Sequence, residues 1–141
     1  MKNRRENNQS RGMKNKQENK QGIDPLDGFN ASARYLRFSP YKLRPIVDIV
    51  RGKNVKYALD WLATYATKRA LPIEKVIKSA AANAKSLHDI SPADLIIKEV
   101  RVDEGPMFRY FKPGAMGRTN TYRKRSSHIE VVLEPVAKRE V

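Results

Sequence analysis

The chain has 141 residues and no cysteine, and its 29 Lys and Arg against 15 Asp and Glu leave a formal net charge of +14. That length allows one domain with one core, and the absence of cysteine excludes a disulfide framework, a thiol nucleophile and a cysteine-based zinc site. The charge excess points to a polyanionic partner; no apolar run approaches the roughly 20 residues of a membrane span, so nucleic acid is favoured over a membrane.

Met1 to Gly22 consist almost wholly of Lys, Arg, Asn, Gln, Glu and Ser, which cannot form a core, so a disordered basic arm is expected there. It is either a solvated tail or an arm that orders on a polyanion. Ile23 to Asn30, with "DPLDGFN", reads as a turn-rich linker. The organisation is therefore a basic extension over 1–30 and a single domain over 31–141. "ARYLRFS" is a short strand-like run that places Tyr35 among basic neighbours.

In "SPYKLRPIVDIVRG", Ser39 is the expected N-cap and Pro40 the first helical residue. Leu43, Ile46, Val47 and Val50 follow at helical spacing, with Gly52 as the stop and Pro45 as an early bend. Asn54 caps a second helix, on which Val55, Ala58, Leu59, Leu62, Ala63 and Ala66 keep the helical repeat. Its second stripe, Tyr57, Trp61 and Tyr65, is either a base-stacking platform or, in the commoner role, an edge of the core. A third helix is expected from Thr67 to about Leu87, with Ile73, Ile77, Ala80, Ala81, Ala84 and Leu87 on one face. Its "SAAANA" run is small enough for another element to approach closely, and the amide of Asn83 either meets a specific partner there or is solvated.

"LIIKEVRVDEG" and "HIEVVLEP" alternate as half-buried strands, the first with Val100 and Val102 inward, the second with Ile129, Val131 and Leu133. Between them, Gly105 to Ser127 contain no acidic residue. Two strands with so long a connection read as an antiparallel hairpin whose distal part, about 105–128, leaves the body. Such an arm buries no core of its own, so a partner of opposite charge is needed to order it.

Catalysis finds little support. Ser126, Ser127 and His128 are adjacent, but strand neighbours point to opposite faces, and the same alternation separates Asp103 from Glu104, which are better suited to ion pairs with the basic surface. "GAMGRTNT" is similar to a phosphate loop but lacks the lysine followed by Ser or Thr, and two distant histidines cannot make a standard zinc site. Neither a catalytic residue, a metal site nor a cofactor is expected. A groove-reading regulator of helix-turn-helix type is the rival class, and it leaves the hairpin without a purpose.

Four blocks, "ARYLRFSPYKLRPIVDIVRGK", "KVIKSAAANA", "VDEGP" and "KPGAMGRTNTYRKRSSHIEVV", resemble in order and spacing the bacterial large-subunit ribosomal proteins numbered twenty-two, over about Ala31 to Val132. The resemblance implies an α+β fold, with three helices packed on a small three-stranded antiparallel sheet and a long protruding β-hairpin. It implies a structural constituent of the cytoplasmic ribosome that binds large-subunit rRNA and supports assembly beside neighbouring ribosomal proteins. The hairpin tip is then expected to line the exit tunnel and meet the nascent peptide. The implied rRNA-binding residues are Arg34, Arg37, Ser39, Lys42, Arg44, Arg51 and Lys53 in the first block. Arg109, Lys112, Arg118, Arg123, Lys124, Arg125, Ser127 and His128 complete them on the hairpin. The implied tunnel tip is Phe111, Lys112, Pro113, Gly114, Ala115, Met116 and Gly117, where Gly114 and Met116 stand at positions that are commonly basic in the family.

Overall fold

The structure is a computed structural model that describes residues 28–136. The arm expected over Met1 to Gly22 lies outside the described residues. Period-two alternation builds the sheet. In β2 (Leu95–Glu104) and β5 (Ser127–Pro135), Val100, Val102, Ile129, Val131 and Leu133 all turn inward and are buried. The strands pair antiparallel, Val100 opposite Val131 and Val102 opposite Ile129. A register shift between Ile97 and Glu99 inserts one residue, so the buried set passes from Leu95 and Ile97 to Val100 and Val102.

β1 (Phe29–Leu36) pairs with the other edge of β5, giving the order β1-β5-β2. It starts earlier than expected: Phe29 and Asn30 belong to the strand and not to a linker, because the Phe29 ring is needed in the core. Gly28, just before it, has φ +78, and a Cβ there would lie 2.8 Å from Val132 Cγ1 and 2.9 Å from the Leu133 carbonyl oxygen. Only glycine fits so close to β5.

α1 (Pro40–Val50) begins at Ser39 and Pro40 as expected, although the serine side chain makes no capping hydrogen bond. Leu43, Ile46, Val47 and Val50 face the core, while Pro45 lies inside the helix on its solvent side. α2 (Val55–Thr64) is capped by Asn54, whose Oδ1 accepts from the Lys56 N–H at 2.8 Å and whose Nδ2 donates to the Ala93 carbonyl at 2.6 Å. Of the stripe read as a core edge, only Trp61 packs on the core. Tyr57 and Tyr65 are exposed, and Tyr65 stacks on Trp61 with centroids 4.9 Å apart.

α3 (Ala70–His88) starts three residues later than expected, because the Thr67 carbonyl accepts the Ala70 N–H at 2.9 Å in the turn that precedes the helix. Pro72 then falls in the first turn, where its missing N–H costs nothing. Ile73, Ile77, Ala80, Ala81 and Ala84 are buried, and at the helix end His88, itself exposed, sets its ring 5.4 Å from that of Phe29. Leu87, expected on that face, is turned outward and exposed. The small side chains of α3 let β1 lie close, and Asn83 Nδ2 donates to the Asn30 carbonyl at 3.1 Å, tying helix to strand. The core thus lies between the helices and one face of the sheet. Each fully buried residue such as Ile77 or Leu133 contributes about 1.5–3 kcal/mol.

Past Gly105 the ladder breaks. β3 (Phe108–Pro113) and β4 (Thr119–Lys124) form a second, two-stranded antiparallel sheet, with Tyr110 opposite Tyr122. Every residue from 106 to 124 is exposed. The expected hairpin is therefore two ladders in series, joined at a short root.

Candidate nucleic-acid interface

The root is fixed by backbone contacts. The Gly105 N–H donates to the Ser126 carbonyl at 3.0 Å, and Ser126 Oγ donates to the Pro106 carbonyl. A Cβ on Gly105 would lie 2.6 Å from Ser126 Oγ and 3.2 Å from His128 Nε2, so the two limbs meet in van der Waals contact there. On the body side, β1 and β5 lose register between Ala33 and Leu36, and Tyr35 takes φ 58. A left-handed tyrosine is strained. His128 Nδ1 accepts the Tyr35 N–H at 3.0 Å, and the two rings meet edge-on at 4.9 Å, which holds the kink in place.

Charge is distributed unevenly. Three glutamates of the body sheet have local cations: Lys98 pairs with Glu134, and Arg101 lies 3.0 Å from Glu99 and 3.9 Å from Glu130. On the hairpin, Arg125 alone reaches a carboxylate, Glu104 at 4.0 Å. Among the described residues, Arg109, Lys112, Arg118, Arg123 and Lys124 have no acidic partner, and Arg109 lies directly opposite Arg123. Like charges so placed repel, which makes the hairpin a strong anion acceptor.

The expected RNA-facing residues fall into distinct groups. Arg34, Arg37, Lys42 and Lys53 are exposed and have no carboxylate partner among the described residues. Arg44 and Arg51 already serve the body, donating to the Val102 carbonyl at 3.4 Å and the Val100 carbonyl at 3.0 Å, so both guanidinia bind α1 to β2. Arg51 also lies 3.1 Å from Asp48. Ser39 is half-buried at its cap position. Ser127 departs from the expectation: it is fully buried in line with Ile129 and Val131, so its hydroxyl faces inward and not toward a partner. His128 is half-buried and engaged with Tyr35. Phe111, Lys112 and Pro113 of the expected tip belong to β3. The turn itself runs over Gly114 to Arg118, closed by the Gly114 N–H to the Arg118 carbonyl at 2.6 Å, with Met116 almost fully exposed.

Sequence reasoning gave no role to Tyr41, Tyr110 and Tyr122. Tyr41 is exposed, and its ring has the guanidinium of Arg44 at 5.4 Å and that of Arg125 at 5.6 Å, linking α1 to the hairpin root. Lys124 lies 4.8 Å from the Tyr110 ring and Lys112 lies 5.1 Å from the Tyr122 ring. The signal was present as tyrosine and basic residues alternating in "FRYFK" and "TYRK". No group of acidic and histidine residues among those described can hold a metal, and no described helix is long and apolar enough to cross a membrane.

Residues 31–134 match the family described as "Ribosomal protein L22p/L17e". Similar curated proteins include the "Large ribosomal subunit protein uL22" of Desulfitobacterium hafniense strain DCB-2, 50% identical over 103 residues that span 73% of this chain and 90% of the relative. The protein of the same description from strain Y51 is 48% identical over 103 residues, with the same coverage.

Proposed function

The chain belongs to the ribosomal protein L22p/L17e family, and from that premise we propose that its hairpin reaches through large-subunit rRNA and presents its turn to the nascent peptide in the exit tunnel. Members of this family are structural, non-catalytic constituents of the large subunit, so the protein binds rRNA beside other ribosomal proteins in the cytoplasmic ribosome. One observation supports the finer reading. Residues 106–124 are exposed along both limbs and carry no acidic side chain, while the strands at their base are anchored in the body core. An isolated two-stranded ribbon is marginal in water, so this one needs a polyanionic setting to hold its course. The basic limbs meet phosphates, and the uncharged turn over Gly114 to Gly117 is left for a different neighbour.

The test uses assembled ribosomes that carry a photoreactive residue at Met116 or at Arg123. The expected result is a crosslink from position 116 to a stalled nascent chain and from position 123 to rRNA. Crosslinks from position 116 to rRNA alone would refute the tunnel placement and leave rRNA binding intact.

A further inference from the structure

We propose that the cleft at the hairpin root receives one unstacked nucleobase of single-stranded RNA together with its adjoining phosphate, an inference that rests on the rRNA-binding reading above. The cleft measures about 650 Å³, with Tyr35, Arg37 and Lys42 on the body side and Tyr110, Tyr122 and Lys124 on the hairpin side. That volume lies within the roughly 300–1,000 Å³ of small-molecule pockets. It suits a nucleotide and is far too small for a duplex.

The chemistry of the walls narrows the ligand further. Tyr110 and Tyr122 sit directly opposite each other on the ribbon, an ammonium lies close to each ring, and about half of each residue stays open to solvent (48% and 52%). Each ring carries a lysine ammonium over it, and a base that stacks on the ring takes that place while the displaced lysine turns to the adjoining phosphate. The cleft lining includes five basic residues, Arg37, Lys42, Arg123, Lys124 and Arg125, and no carboxylate. An acidic peptide would satisfy those cations but gain nothing from the two rings as stacking surfaces. An unpaired base with its phosphate uses both.

Two features set the cleft in advance. The bulge that strains Tyr35 brings that ring to the cleft wall, a common use of bulges beside binding sites. The Gly105, Pro106 and Ser126 contacts tie the two limbs of the hairpin together at its root, and the Arg125 guanidinium, 5.6 Å from the Tyr41 ring, links that root to α1 on the body side. Prearranged walls lower the ordering cost of binding.

The experiment measures binding of the full chain to a six-nucleotide oligouridylate with one central 2-aminopurine, and to the same strand with an abasic site at that position. Stacking should quench the 2-aminopurine fluorescence, and the abasic strand should bind about 5- to 150-fold more weakly. Tyr110→Leu combined with Tyr122→Leu should abolish the quenching and reduce affinity to the abasic level, with the salt dependence unchanged. Both tyrosines lie outside the core, so the double variant should melt like the native protein. If the native chain binds both strands equally well without quenching, the base site is refuted while RNA binding stands. If it binds neither strand at low salt but still binds large-subunit rRNA, the base site is refuted; if it binds neither the strands nor that rRNA, the rRNA-binding reading fails and the base site falls with it.

Discussion

Replacing Arg123, Lys124 and Arg125 together by glutamine isolates the electrostatic part of the hairpin's action. Each cation that neutralises a phosphate contributes about 0.7 to 0.9 to the slope of log affinity against log salt. The three residues do not count equally. Arg123 and Lys124 are exposed without a carboxylate partner, whereas Arg125 is already shared between Glu104 at 4.0 Å and the Tyr41 ring at 5.6 Å. Two full contacts and half a third predict a slope reduced by about 2. Between 50 and 200 mM salt, the native chain should then lose roughly 15-fold more affinity for large-subunit rRNA than the variant does. Folding should not suffer, because removing Arg123 relieves its repulsion with Arg109 on the opposite strand. Fluorescence anisotropy across a salt series reads both quantities. An unchanged slope, or weaker binding with the slope intact, would show that these side chains do not meet phosphates.

Other perturbations probe the body. Gly28→Ala drives a Cβ against the Leu133 carbonyl at a positive φ and should cost about 1–3 kcal/mol, seen as a melting temperature lower by several degrees. A native melting temperature would mean that β1 does not approach β5 so closely. Pro45→Ala restores a helical N–H on the solvent side of α1 and should stabilise by about 1–2 kcal/mol in urea unfolding, while a loss would show that the ring packs against something. Asn83→Ala removes one bond to the Asn30 carbonyl, worth about 0.5–1.5 kcal/mol, but improves helix propensity by about half a kcal/mol, so the net change should be under about 1 kcal/mol. A larger loss would mark this bond as the main tie between α3 and β1.

What the sequence disclosed depended on how local the cause was. The alternation around Val100 and Val131, the Asn54 cap and the acid-free arm all rest on neighbours in the chain, and all could be read directly. The bulges at Ile97/Glu99 and Ala33/Leu36 could not, since an inserted residue leaves no compositional mark and shows only when two strands are paired. Ser127 was assigned to rRNA by the family resemblance, although its parity with Ile129 and Val131 placed it inward. The pairing of Tyr110 with Tyr122 depends on a register set by the turn at Gly114 to Arg118. The bonds from Arg44 and Arg51 to β2 carbonyls join residues far apart in the chain, and cation-rich helices look alike whether they face RNA or brace a sheet.

β5 is both the central strand of the body sheet and the last described element of the chain. During synthesis, β1 and β2 emerge with nothing to pair with, and the three helices have only half a surface to pack on. The whole basic ribbon is made before the strand that closes the core. The molecule therefore passes through a stage in which its anion-seeking arm is complete and its fold is not, with two unsatisfied strand edges exposed to aggregation.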